Sequence, residues 1–190
     1  MTIRDVLSIG HPALRAAAQP VADAQIATAE IQELIDDLID TMRAANGAGL
    51  AANQIGVHHR VVVLEVDANP RYPYKPKIPL TVAVNPIFEV LDDEVFQNNE
   101  GCLSVPLRGD VTRAMNLKVT YKDRHGDEHC QTVRGLTAGT WQHETDHLDG
   151  VLFIDRVTDP ATLSTWEEFE AHHRDAFVER IQALTEEGTR

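Results

Sequence analysis

Cysteine is nearly absent from this 190-residue chain, and its scarcity excludes one class of folds at once. Cys102 and Cys130 cannot make a disulfide framework, so each is read as a free thiol or a metal ligand. Long apolar runs are missing as well. No stretch approaches the roughly eighteen residues of a membrane span, and no membrane partner is expected. Met1–Asp5 has neither the apolar core of a signal peptide nor the Arg/Ser richness of a transit peptide, which predicts a cytoplasmic protein. Basic residues are scarce: 17 against 30 acids give a formal charge of −13. That balance opposes attraction to nucleic acid or anionic membrane, so no direct nucleic-acid binding is expected. Repeats, linkers and low-complexity segments are lacking too. The length then suits one domain over 1–190, large enough to bury a core unaided.

What is present is helical and strand periodicity in alternation. Residues 11–19 read as one short helix with Pro12 in its first turn. Residues 24–45 read as an amphipathic helix with Ile31, Leu34, Ile35, Leu38, Ile39 and Met42 on its core face. Asn46-Gly47 would end it, Gly taking the left-handed conformation. Arg60–Val66 predicts a buried strand, and 67–79, rich in proline, a loop on the rim of a cleft. Leu80–Asn85 and Ile87–Val95 read as strands split by Pro86. Asn116–Lys122 and Glu128–Arg134 make a hairpin in which Cys130 is a small apolar filler. A helix is expected over about 136–148, and a last one over about 159–185, capped by Asp159 ahead of Pro160. Leu163, Trp166, Phe169, His173, Phe177, Ile181 and Leu184 would line one side of it. The fold class is α+β, with mixed and antiparallel strands packed around a central metal-binding helix and an amphipathic C-terminal helix.

The central helix carries the chemistry. His143-Glu144-Thr145-Asp146-His147 is an H-E-x-x-H motif, and residues four apart share a helical face, so both imidazoles can reach one ion. Many histidine pairs on helices are ordinary surface or core residues, so a third ligand has to be sought. The long layout ending in a further His is excluded, because Phe153 stands at that place. A glutamate from a downstream helix (Glu167, Glu168 or Glu170) stays open on spacing. An upstream thiolate, Cys102 in Glu100-Gly101-Cys102-Leu103-Ser104, is the other option. With His143 and His147 it leaves a fourth tetrahedral position for water, the arrangement of a catalytic site.

Three stretches in order, Gly47-Ala48-Gly49-Leu50-Ala51-Ala52-Asn53-Gln54, Glu100–Ser104 and Gln142-His143-Glu144-Thr145-Asp146-His147-Leu148, resemble the peptide deformylase family at every fixed position of its motifs. The resemblance runs from about Ile9 to Val157. It implies removal of the formyl group from nascent peptides that begin with formyl-methionine, in a bacterial cytoplasm. One divalent metal per chain is implied, Fe2+ in the cell with Zn2+, Ni2+ or Co2+ able to substitute, on Cys102, His143 and His147. Glu144 would move the water's proton, while Gln54 and the backbone N–H of Leu103 would stabilise the oxyanion. Substrate contacts fall on Ala48, Gly49, Leu50, Glu100, Gly101, Leu136, Gly139 and Thr140. Gly49 and Leu50 would offer backbone groups, and Ala48, Leu136, Gly139 and Thr140 a methionine pocket. Glu100 would pair with Arg113, and Asp146 would fix the orientation of the helix or of a ligand.

Departures are visible. The stretch after Pro106 is a residue shorter than in many members. Some members dock on the ribosome through a basic C-terminal helix, but residues 155–190 hold nine acids against four arginines, so ribosome contact is expected to be transient at most. Two rivals remain: a deformylase-like peptide-binding protein without turnover, and a general metallopeptidase using Glu167 or Glu168.

Overall fold

The apolar stripe of the long N-terminal helix goes where its spacing sends it. A computed structural model describes residues 2–67 and 69–187, the side chains of 183–187 excepted. In it Ile31, Leu34, Ile35, Leu38, Ile39 and Met42 are buried on α2 (Ala29–Ala44) against Val61, Val63 and Val84. A one-turn helix α1 (Asp23–Ile26) precedes it, so the expected 24–45 helix is interrupted at Ala27-Thr28, where Thr28 Oγ1 donates to the carbonyl of Gln25. Asn46, not Gly47, takes the left-handed turn at its end, with φ +51°. Asn tolerates that region because its short polar side chain can bond locally. Residues 11–19 hold only a 3-10 turn over Pro12–Arg15. Ala18 N–H donates to Leu148 and Gln19 bridges His59, which draws that stretch out as extended chain.

Five strands form one antiparallel sheet in the order β1-β2-β3-β6-β7. They are β1 (Gly49–Ala51), β2 (Val61–Val66), β3 (Ile78–Val90), β6 (Asn116–Lys122) and β7 (Glu128–Arg134). Pro86 does not split β3. A register shift between Val84 and Ile87 takes up the residue that cannot donate, and Asn85 turns through φ +53° to bond Val21 with its side chain. Cys130 is exposed on the edge strand β7 and fills no core.

A second sheet of two strands, β4 (Val95–Cys102) and β5 (Val105–Ala114), closes over the site. Cys102 is the last residue of β4, a regular strand that periodicity did not reveal. Helix α3 (Gly135–Leu148) packs between the sheets with most of its residues buried, Trp141 and Leu148 among them. The C-terminal stretch is not one helix from 159. Asp159 caps a 3-10 turn (Pro160–Thr162), and Ser164 then pairs with the backbone of Arg108. Helix begins only at α4 (Trp166–His172), capped by Thr165, and resumes as α5 (Arg174–Glu187) after His173. Phe169, Phe177 and Ile181 are buried, Leu163 and Trp166 half-buried and His173 exposed; Leu184 lies outside the described side chains. Among the described residues no helix is long and apolar enough to cross a membrane.

Candidate metal centre and active site

One turn of α3 separates His143 from His147, and the β4 end brings Cys102 against both. Their ligand atoms lie within 4.8 Å of one another, with Cys102 Sγ 3.3 Å from His147 Nε2. Burial alone would push the Cys102 thiol up. The nearby charge of His147 and hydrogen bonds from His143 and His147 outweigh it and hold the thiol well below its ordinary value. A thiolate with two imidazoles in mutual reach fits a single divalent ion. Glu167, Glu168 and Glu170 are exposed on α4 and take no part in this group, so the layout that borrows a downstream glutamate is ruled out.

The ligands are oriented by a buried ionic network. Glu100 Oε2 meets His143 Nδ1 at 2.9 Å and leaves Nε2 to face the centre. Arg113 grips Glu100 with Nε at 2.7 Å and Nη2 at 2.8 Å, and Asp146 with Nη1 at 2.6 Å. Arg156 closes the far side of Asp146. Despite complete burial, Arg113 and His143 keep the Glu100 carboxyl far below the usual range. Asn53 donates to the carbonyl of His147.

Gln54 reaches the centre from a 3-10 turn (Ala52–Ile55) after β1. Its Oε1 accepts from Ala51 N–H at 2.9 Å, which leaves Nε2 pointing at Ser104 Oγ, 3.1 Å, and Cys102 Sγ, 3.5 Å. Glu144 is buried beside it, and among the described residues its Oε2 has no hydrogen-bond partner. Burial pushes its carboxyl up, against the pull of His143 and His147. A buried carboxylate oxygen without a partner, on a residue that lines a cavity, makes Glu144 a candidate for proton transfer.

That cavity, about 40 Å³ of free space, collects most of the residues the motifs single out. Ala48, Gly49, Gln54, Glu100, Gly101, Cys102, Leu103, Gly139, Thr140, His143 and Glu144 all line it. Two do not. Leu50 is packed into the core against α2, so only its backbone can serve a ligand. Leu136 points into a separate cavity of about 510 Å³, beside Phe96, Met115 and Ile181. It starts α3 a full turn before Gly139, where the helix faces the C-terminal segment. Residues the motifs did not suggest are Tyr72, Tyr74 and Lys75, from the rim loop, and Asn98 and Asn99 of β4. The loop's placement was legible from its prolines; the asparagines gave no signal.

Gly49 is needed for its lack of a side chain, since a Cβ there would sit 2.4 Å from Glu144 Oε1. Gly49→Ala should therefore displace Glu144 and lower kcat at least tenfold while leaving the ion content unchanged. Turnover at the parental rate in that variant would show that the carboxylate is not held where it is needed.

The sequence matches the polypeptide deformylase family over residues 3–162. Peptide deformylase 2 of Ralstonia nicotianae is 46% identical over 178 residues, covering 91% of this chain and 99% of that protein. The class I type b peptide deformylase of Acinetobacter baumannii superposes with a TM-score of 0.80 at 36% identity, covering 83% of this chain and 100% of that one. The same enzyme bound to Met-Ala-Ser gives 0.77 at 37% identity, over 82% and 99%. The chain belongs to the polypeptide deformylase family, enzymes that remove the formyl group from N-terminal formyl-methionine.

Proposed function

We propose that Cys102, His143 and His147 hold one divalent ion, Fe2+ in the cell, and that Glu144 is the general base of deformylation in a bacterial cytoplasm. An ion in that position would supply a water acidic enough to lose its proton near neutrality. Glu144 takes that proton and returns it to the departing amine. Water's oxygen adds to the formyl carbon, the carbon–nitrogen bond breaks, and formate and a free amine leave. Gln54 Nε2 and the Leu103 N–H donate to the oxygen that becomes negative; a neutral amide does so without competing for the ion. The substrate is a formylated nascent peptide laid along the free edge of β1 opposite Asn99–Gly101, both of which border the cavity. The A. baumannii relative carries Met-Ala-Ser, which supports a short peptide in this place. The acidic C-terminal segment favours encounter by diffusion over docking on ribosomal RNA.

The observation that carries the reading is the unpartnered Glu144 carboxylate beside the Cys102–His143–His147 group. Anaerobic, iron-loaded protein should release formate from formyl-Met-Ala-Ser. Cys102→Ala should lose both the ion and the activity. Iron bound stoichiometrically with no formate released would instead mark a peptide-binding protein.

A further inference from the structure

The end of the cavity that would take the first side chain is polar. Lys75 enters it from the rim loop, and its Nζ donates to Thr140 Oγ1 at 3.0 Å and lies 4.8 Å from the Tyr72 ring centre. Thr140 spends its own proton on the carbonyl of Leu136, 2.9 Å away, so toward Lys75 it can only accept. Burial pushes the Lys75 amine down to about 8, with Glu100 and Glu144 pulling the other way, so it is still mostly charged at neutral pH. Among the described residues Thr140 is the ammonium's one hydrogen-bond partner. Lys75 and Thr140 both line the free space of about 40 Å³, and Lys75 also borders the cavity of about 510 Å³ beside Leu136.

A methionine thioether is a weak acceptor and leaves such an ammonium underpaired. Oxidation of that residue to the sulfoxide adds one oxygen that accepts strongly. We propose that Lys75, positioned by Thr140, is a specificity-determining residue that lets this site take a first residue bearing a hydrogen-bond acceptor, methionine sulfoxide, as readily as methionine. The inference rests on the deformylase reading and on this cavity receiving the first side chain. The reaction is unchanged: water adds to the formyl carbon, formate leaves, and the sulfoxide passes through intact.

The test compares kcat/KM for formyl-Met-Ala-Ser, its sulfoxide and its norleucine analogue in the parent, Lys75→Met and Thr140→Val. The sulfoxide-to-methionine ratio should be near or above one in the parent and fall about 10- to 100-fold in Lys75→Met, as loss of a hydrogen bond from a charged donor requires. The sulfur-free norleucine peptide should gain in that variant. Using a ratio cancels any change in Glu144 common to the substrates. Calorimetric binding of the products Met-Ala-Ser and its sulfoxide should rank the proteins alike without turnover. A parental ratio below roughly one in a hundred, or a ratio that Lys75→Met leaves untouched while formyl-Met-Ala-Ser is hydrolysed, overturns the inference alone. No formate from any of the three peptides overturns the deformylase reading and the inference together.

Discussion

Glu144→Gln is expected to cut kcat by about 10²- to 10⁴-fold, the usual contribution of a positioned proton-transfer group. The substitution keeps the side chain's volume, which matters because the residue is buried and Gly49 is packed against it. It keeps the three ligands as well, so the ion content should stay at one per chain. KM should change little, since the proton moves only in the transition state. Formate release and metal content measured on the same preparation check the claim. Loss of the ion along with activity would recast Glu144 as a ligand, and near-parental turnover would hand the proton to another group.

Motif chemistry was legible in the sequence to a degree that the strands carrying it were not. Helical spacing proposed His143 and His147, the resemblance of Glu100–Ser104 to a family motif singled out Cys102, and the three ligand atoms do cluster. Yet β4 and β5 escaped the pattern, for a physical reason. Their inward-facing side chains include Asn98, Asn99, Glu100, Arg108 and Arg113, buried and polar, where a strand is normally recognised by alternating apolar ones. Arg108 shows how such a residue is accommodated. It is sandwiched between Trp166 and Phe169, each ring centre 4.1 Å from its guanidinium carbon, and it bonds Asn99 twice. Those partners come from a helix some sixty positions on, which no local window contains. The Asp159-Pro160 signal misled in the opposite sense. The cap forms, but tertiary pairing of Ser164 with Arg108 takes the next residues out of helix. Leu136 borders a different cavity from its motif neighbours because a motif position names a residue but not the direction its side chain takes.

The same polar interior predicts where the fold is most fragile. Arg113→Met should cost about 3–5 kcal/mol, the usual result of stranding a buried charge, and lower Tm by roughly 6–20 °C in a chain of this size. Arg113, Glu100 and Asp146 are all almost wholly buried, and removing the guanidinium leaves Glu100 with His143 alone and Asp146 with Arg156 alone. By contrast, Arg43→Met at the more exposed Arg43–Glu65 pair should cost no more than about 1 kcal/mol, because solvent screens that bridge. Thermal unfolding of both variants, with the ion removed from each, separates the network from metal-linked stability. The double variant Arg113→Met with Glu100→Gln should recover part of the loss, since only one carboxylate then remains charged. Equal Tm values for Arg113→Met and Arg43→Met would sink the argument. The network matters for chemistry because Cys102 and the two histidines sit on different elements, β4 and α3, and Glu100 and Asp146 sit on those same two. Arg113 ties one to the other, so the loss should also appear as weaker ion binding, from a centre no longer assembled before the ion arrives.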